Sequence, residues 1–238
     1  MSGHSHWAGI KHRKGINDAK RAKIFTKHGK LITIAARDGG GNPDTNFQLR
    51  LAIERARLEN MPKENIDRAI KRGTGELKGD AIEEIIYEAY GPGNVAMLIK
   101  TATDNKNRTV GELKSILSKA GGKVVPNGSV SYLFKQVGEI NVSVPENSDP
   151  YEIEMKAIEA GAEDTIYSDN TLVVFTKIEE LQKVQEHLEK AGLAIENAGL
   201  VYVPTQKTTL DDSARIDYER LLETLDDQDD VQEIYDNL

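Results

Sequence analysis

Lys20, Lys23, Lys27 and Lys30 recur at three- and four-residue intervals, the spacing that brings side chains onto one face of an α-helix. Such a row of ammonium groups is suited to neutralising a chain of phosphates, because each contact releases a condensed counterion. Lys11, Arg13 and Lys14 carry the same charge into the polar leader before the helix, and Arg21 and Arg37 flank the row. Trp7, the single tryptophan, offers a face for an unpaired base or an anchor that pins the leader to the helices. These ten residues are the candidate nucleic-acid contacts. The competing reading of the lysines is a solvated helix face. The phosphate reading holds only while the ammonium groups are free: carboxylates from later in the chain, if bonded to them, would leave no seat.

Charge is divided along the chain. Residues 1–73 carry 16 Lys and Arg against 7 Asp and Glu, whereas residues 74–238 carry 15 against 32, within an overall formal charge of −8. One end suits a polyanion and the remainder repels one. The absence of cysteine excludes disulfides, thiolate zinc sites and thiol catalysis. No phosphate-loop lysine, HExxH, G-x-S-x-G or dinucleotide fingerprint occurs, so no catalytic residue, cofactor or metal is assigned. With Met1 removed, Ser2-Gly3-His4 has the donor set of a square-planar copper or nickel chelate, and His6 and His12 lie nearby; this carries no assignment. No run approaches the roughly 18 apolar residues of a membrane helix, and the opening residues are too polar for a signal peptide. A cytoplasmic protein without a membrane partner is expected.

The elements that must position the basic residues follow from periodicity. From about Asn17 to Asp38, Ala22, Ile24, Phe25, Leu31, Ile32, Ala35 and Ala36 fall on one arc and the lysines opposite. His28 projects into the apolar arc and is read as a core histidine; Arg21 and Ile34 break the pattern. Gly39-Gly40-Gly41 and Pro43 end the helix. Asp44 or Thr45 caps a second, with Leu49, Ala52, Ile53 and Ala56 inward. Pro62 opens a third, with Ile66, Ala69 and Ile70 buried and Gly73 as a left-handed cap. Strands are expected at 84–90 and 95–103, joined by Gly91-Pro92-Gly93-Asn94. A helix follows at 109–120 with Thr109–Glu112 as a capping box, then a strand at 130–134. Residues 138–204 read as strand, helix, strand, strand, helix, strand, which is ferredoxin-like. A last helix near 211–225 and a strand at 231–235 complete an α+β, multi-domain chain. It comprises a basic helical domain at 1–79, a split α/β domain at 80–137 plus 205–238, and an inserted ferredoxin-like domain at 138–204.

Asn105, Lys106, Asn107 and Arg108 sit between a strand end and a helix N-terminus, either as turn and cap or as a secondary polar contact. Tyr132 and Phe134 are placed on one sheet face, as core or as stacking aromatics. Asp226-Asp227 and Asp229-Asp230 are read as a solvated, repelling surface.

The stretches GHSHW (3–7), KHRKG (11–15), DAKRAKIFTK (18–27), DGGGNPDTN (38–46) and NMPKENIDRAIKRGTGE (60–76) resemble the YebC/PmpR family. That family includes the mitochondrial translational activator of cytochrome oxidase subunit one. The likeness continues through IIYEAYGPG (85–93), TDNKNRT (103–109) and GSVSYLF (128–134), then persists in layout alone. Lys30-Leu31 stand where the family often shows Arg-Glu, and Ala89 and Asn94 where glycine is usual. The resemblance implies a helical first domain and two α/β domains around a cleft, with a DNA-binding transcriptional regulator as the family's usual label. Other members act as ribosome-associated factors that relieve difficult synthesis such as consecutive prolines. Three readings stand: a duplex-DNA regulator, an RNA or ribosome binder, and a protein-interaction module whose acidic domains hold a partner. The charge split fits DNA and RNA alike; RNA is slightly favoured because lysines position on phosphate more than they read bases and no helix-turn-helix signature or dimer seam is present.

Overall fold

The computed structural model describes residues 18–146 and 148–238, with side chains from Arg21 onward. They form two compact units, one joining the described residues up to Phe134 with Pro204–Leu238, the other spanning Lys135–Val203.

The first unit begins with three helices, α1 (Asp18–Gly39), α2 (Phe47–Leu58) and α3 (Lys63–Gly73). Their shared core is Ile32 and Ala36 of α1, Leu49, Ile53 and Ala56 of α2, Met61, and Ile66 and Ala69 of α3. Asn46, rather than Asp44 or Thr45, caps α2. Its side-chain oxygen accepts from Leu49 N–H, while its amide nitrogen donates to the carbonyls of Ala35 and Gly40. One buried amide thereby fixes the turn between α1 and α2. Pro62 stands just before α3 as its cap. Gly73 is the last helical residue, and the left-handed position is Gly75, with φ +83°. Gly73 is needed for a different reason: a Cβ there would run into the Thr33 carbonyl and lie 2.7 Å from the Ala36 side chain. It lets α3 lie close against α1, where the Thr33 hydroxyl also donates to Ala69 O at 3.1 Å.

The same unit continues as a four-stranded antiparallel sheet of β1 (Glu83–Tyr90), β2 (Ala96–Thr103), β3 (Lys123–Val125) and β8 (Val231–Asp236), in the order β3-β1-β2-β8. Helices α4 (Lys106–Lys119) and α7 (Asp212–Asp226) pack on it. Leu113 and Leu117 of α4, with Tyr218, Leu221, Leu222 and Leu225 of α7, close over Ala89, Met97, Ile99, Val231 and Ile234. The expected strand at 130–134 is a 3-10 turn at Ser131–Leu133 instead, and a strand begins only at Phe134. The cause is Glu88 of β1, a 5% exposed residue whose carboxylate accepts from the N–H groups of Gly128 (2.7 Å), Val130 (2.6 Å) and Ser131 (3.1 Å). Those donors are then unavailable to a β ladder. Tyr132 consequently stands 69% exposed on the turn while Phe134 is buried, so the two do not share a sheet face.

The second unit is β4 (Phe134–Ser143), α5 (Pro150–Ala160), β5 (Asp164–Ser168), β6 (Thr171–Thr176), α6 (Leu181–Lys190) and β7 (Ala194–Pro204), with sheet order β5-β6-β4-β7. That succession and order are ferredoxin-like. Asp149 caps α5 by accepting from Tyr151 N–H, and Gly161 ends it with φ +110°.

Candidate functional site

The lysine row lies on α1, and its continuation explains its role. Counting on from Lys23, Lys27 and Lys30 at the same spacing reaches Ile34 and Arg37. Ile34, which breaks the single-face pattern, is 8% exposed. A row that passes through a buried isoleucine faces the protein there, and α1 contacts β2.

Each described lysine of the row is held by the segment Asp226–Asp230, between α7 and β8. Lys23 Nζ donates to Asp227 O at 2.5 Å and lies 3.5 Å from the Asp229 carboxylate. Lys27 donates to Asp226 O at 2.7 Å and to its carboxylate at 3.1 Å. Lys30 donates to Asp229 O at 3.1 Å and to the Asp230 carboxylate at 2.6 Å. Two of these rungs end on main-chain carbonyls at the C-terminus of α7, where orphan acceptors and the helix dipole favour cations. The expectation of an open phosphate seat at Lys23, Lys27 and Lys30 is therefore corrected. So is the reading of Asp226, Asp227, Asp229 and Asp230 as a repelling surface: the acids are what the lysines bind.

Asp230 is the hub, with a side chain only 2% exposed. Besides Lys30 it accepts from the hydroxyls of Thr103 (3.1 Å) and Thr109 (2.7 Å) and from Arg108 (3.0 Å). Burial opposes ionisation of this carboxyl, but the bonds from Lys30, Thr109 and Arg108 outweigh it and hold its pKa well below the usual carboxylate range. Gln228 shapes the segment, its side-chain oxygen accepting from the N–H groups of Asp230 and Val231.

The polar loop before α4 belongs to the same network. Asn105, not Thr109, caps α4 by accepting from Arg108 N–H at 3.1 Å, which frees the Thr109 hydroxyl for Asp230. Lys106 pairs with Glu83 at 2.6 Å, and Arg108 bridges Asp104 and Asp230. Asn107 is exposed. Arg37 pairs with Asp38 at 2.7 Å and donates to the Ile82 carbonyl. Arg55 of α2 reaches Glu233 of β8 at 3.2 Å, and Lys100 bridges Glu84 and Glu233. Arg21 is exposed. Trp7, Lys11, Arg13 and Lys14, with the histidines at 4, 6 and 12, lie outside the described residues, as does the side chain of Lys20. His28 is partly buried on α1.

The sequence reading missed a different cationic surface. Arg68 and Arg72, one turn apart on α3, are exposed, and their guanidinium groups have no hydrogen-bond or ion-pair partner among the described residues. Both border a groove of about 510 Å³ between α1 and α3. Phe25, Met61 and Ala69 supply its apolar wall, Asn65 and Thr33 supply polar groups, and Asp80 and Asp104 stand at the edge. The available signal was the i, i+4 spacing of Arg68 and Arg72 on α3, beside the buried Ala69. Among the described residues, no cluster of acids and histidines forms a metal site, and no helix is long and apolar enough to cross a membrane.

Comparison with known proteins gives the following. Residues 5–76 match the TACO1/YebC protein N-terminal domain, and residues 82–238 match the TACO1/YebC second and third domain. A probable transcriptional regulatory protein of Thermotoga maritima is 50% identical, over 100% of this chain and 93% of the relative. One of the same name from Halothermothrix orenii is 46% identical, over 100% of this chain and 94% of the relative. The crystal structure of a conserved hypothetical protein from Aquifex aeolicus superposes with a TM-score of 0.89 at 44% identity, covering 98% of this chain and 96% of that one.

Proposed function

Because this chain belongs to the TACO1/YebC family, we propose that it is a regulator of gene expression that works in the cytoplasm by binding nucleic acid, without a catalytic step. The names of its relatives support the regulatory part. The observation that carries the binding part is the arginine pair at the α1/α3 groove. With Lys23, Lys27 and Lys30 engaged by Asp226–Asp230, Arg68 and Arg72 are cations of the basic segment left exposed and unpaired among the described residues. Guanidinium groups suit phosphate by geometry as well as charge. The basic leader, with Lys11, Arg13, Lys14 and Trp7, supplies further candidate contacts by sequence.

Between the two nucleic acids, the geometry favours RNA, and with it the reading as a ribosome-associated translation factor. A duplex-DNA reader inserts a helix whose side chains reach base edges, and the lysine face of α1 is turned onto the protein's own β2 and Asp226–Asp230. A groove with an apolar wall and arginines at its lip matches the recognition of unpaired bases by stacking and phosphate contact. The protein-interaction reading rests on the acidity of residues 74–238 alone.

The test is the double substitution Arg68→Glu/Arg72→Glu, assayed on a 20-nucleotide single-stranded RNA and on duplex DNA of the same sequence. RNA affinity is expected to fall at least tenfold with helicity intact, and the slope of log affinity against log salt to flatten by about 1.4, two single-strand contacts. Unchanged RNA affinity would overturn the arginine surface, and a preference for the duplex would overturn the choice of RNA.

A further inference from the structure

Asp226-Asp227-Gln228-Asp229-Asp230 folds against the lysine row of α1 and supplies the kind of oxygen acceptors a phosphate chain would. It presents them to Lys23, Lys27 and Lys30, three of them main-chain carbonyls and three carboxylates. We propose that Lys23 and Lys27 form a second, masked subsite for a nucleic-acid phosphate chain, with Asp226–Asp229 as its built-in competitor. This inference rests on the reading of the protein as a nucleic-acid binder.

Three observations support a mask that opens from one end. First, the acids of the rungs are graded in side-chain burial, from Asp229 (71% exposed) through Asp226 (35%) to Asp230 (2%), while Lys27 (14%) and Lys30 (17%) are about equally covered and Lys23 (44%) is open. At the inner end, Thr103, Thr109 and Arg108 also hold the Asp230 carboxylate. At the outer end, Lys23 and Asp229 meet at 3.5 Å. Exposed ion pairs of that kind are weak and screened by salt, so the Lys23 rung can exchange acceptors first, with Lys27 following and Asp230 staying seated. Second, an opening of about 520 Å³ borders Lys23, Thr26, Lys30, Arg108, Asp227 and Asp229, giving an incoming phosphate access beside Lys23, the rung it would take over first. Third, Lys20 lies one turn before Lys23 on α1, so the row continues in sequence beyond its most exposed described rung. The row is shut by acceptors of the same chemistry as the ligand, so binding is competitive: the protein's own acids set the affinity threshold that a polyanion must exceed.

The experiment compares Asp226→Asn/Asp229→Asn with Asp212→Asn/Asp217→Asn, which removes equal charge from the opening turns of α7. Affinity for the 20-nucleotide RNA is measured across a salt series in the full chain. The first pair is expected to bind at least tenfold more tightly than wild type, with a salt slope steeper by about 1.4 for two added single-strand contacts. The second pair is expected to gain no more than about threefold, the electrostatic effect of charge alone. Equal gains from both pairs, or an unchanged slope, would overturn the masked subsite. A wild type whose RNA binding is lost in Arg68→Glu/Arg72→Glu, together with no gain in Asp226→Asn/Asp229→Asn, would overturn the mask and leave the function standing. A wild type that binds no RNA would overturn the function. The mask is then judged by the same variant ratio with inorganic tripolyphosphate as probe.

Discussion

Replacing Asp230 with alanine is expected to lower the unfolding free energy by about 3–5 kcal/mol, the range for breaking a buried pair from one side. The carboxylate is the common acceptor for Lys30, Thr103, Thr109 and Arg108. Its removal leaves the Lys30 ammonium, 17% exposed, with the Asp229 carbonyl but no counter-charge, beside two buried threonines. Lys30→Met should cost less, because Asp230 keeps Arg108 and both hydroxyls. Urea unfolding followed by circular dichroism measures the difference. The same group gives the stability a pH dependence. Its folded pKa lies below the unfolded value near 3.9, so the contribution is fully present above about pH 5 and is lost as pH falls through the acid range. Glu88 is shifted in the same direction: burial opposes its ionisation, but the N–H donors of Val130, Gly128 and Ser131 prevail. Stability should therefore fall between about pH 5 and pH 2 in the wild type, and less steeply in Asp230→Ala. A loss under about 1 kcal/mol for Asp230→Ala, the value of a surface pair, would mean that the hub is not formed.

Glu88→Ala is the second large effect, expected at roughly 2–4 kcal/mol from the loss of three charge-assisted bonds, partly offset by water at the exposed donors. Val130 N–H is the most costly, since Val130 is 0% exposed and that N–H bonds the carboxylate at 2.6 Å. Hydrogen exchange separates this effect from general destabilisation. The amides of Val130 and Ser131 should lose protection beyond the global change, whereas those of β5 and β6, in the other compact unit, should follow it. Uniform loss across the chain would place the Glu88 contribution elsewhere.

Local pattern made much of this architecture readable. Apolar spacing on α1, α2 and α3 and the turn at Gly91–Asn94 are short-range signals, as is the βαββαβ succession of residues 138–204, and the structure contains each of them. The strand expected at 130–134 failed because its fate depends on Glu88, some 40 residues earlier, capturing the N–H groups it needed. Thr109 was read as a cap because its own neighbours permit that; Asp230, 121 residues later, claims the hydroxyl instead. The lysine row failed for the same reason on a larger scale. Periodicity shows that Lys23, Lys27 and Lys30 share a face but not what the face meets. Two clues lay in the residues themselves: Ile34 continues the row into an apolar position, and four aspartates in five residues at 226–230 form a matching acidic strip. Arg68 and Arg72 were passed over because the longer lysine row had the stronger charge pattern, although a row is open to ligand only where the fold leaves it unpaired.

The central claim is that the cationic row of α1 is closed by the protein's own Asp226–Asp230 segment. Timed acetylation of the wild-type chain with acetic anhydride, read residue by residue by mass spectrometry, tests it directly. Lys27 and Lys30 should react at least tenfold more slowly than the exposed Lys63 and Lys71, with Lys23 between them. Lys27 and Lys30 reacting as fast as Lys63 and Lys71 would contradict the account and return the row to the solvent.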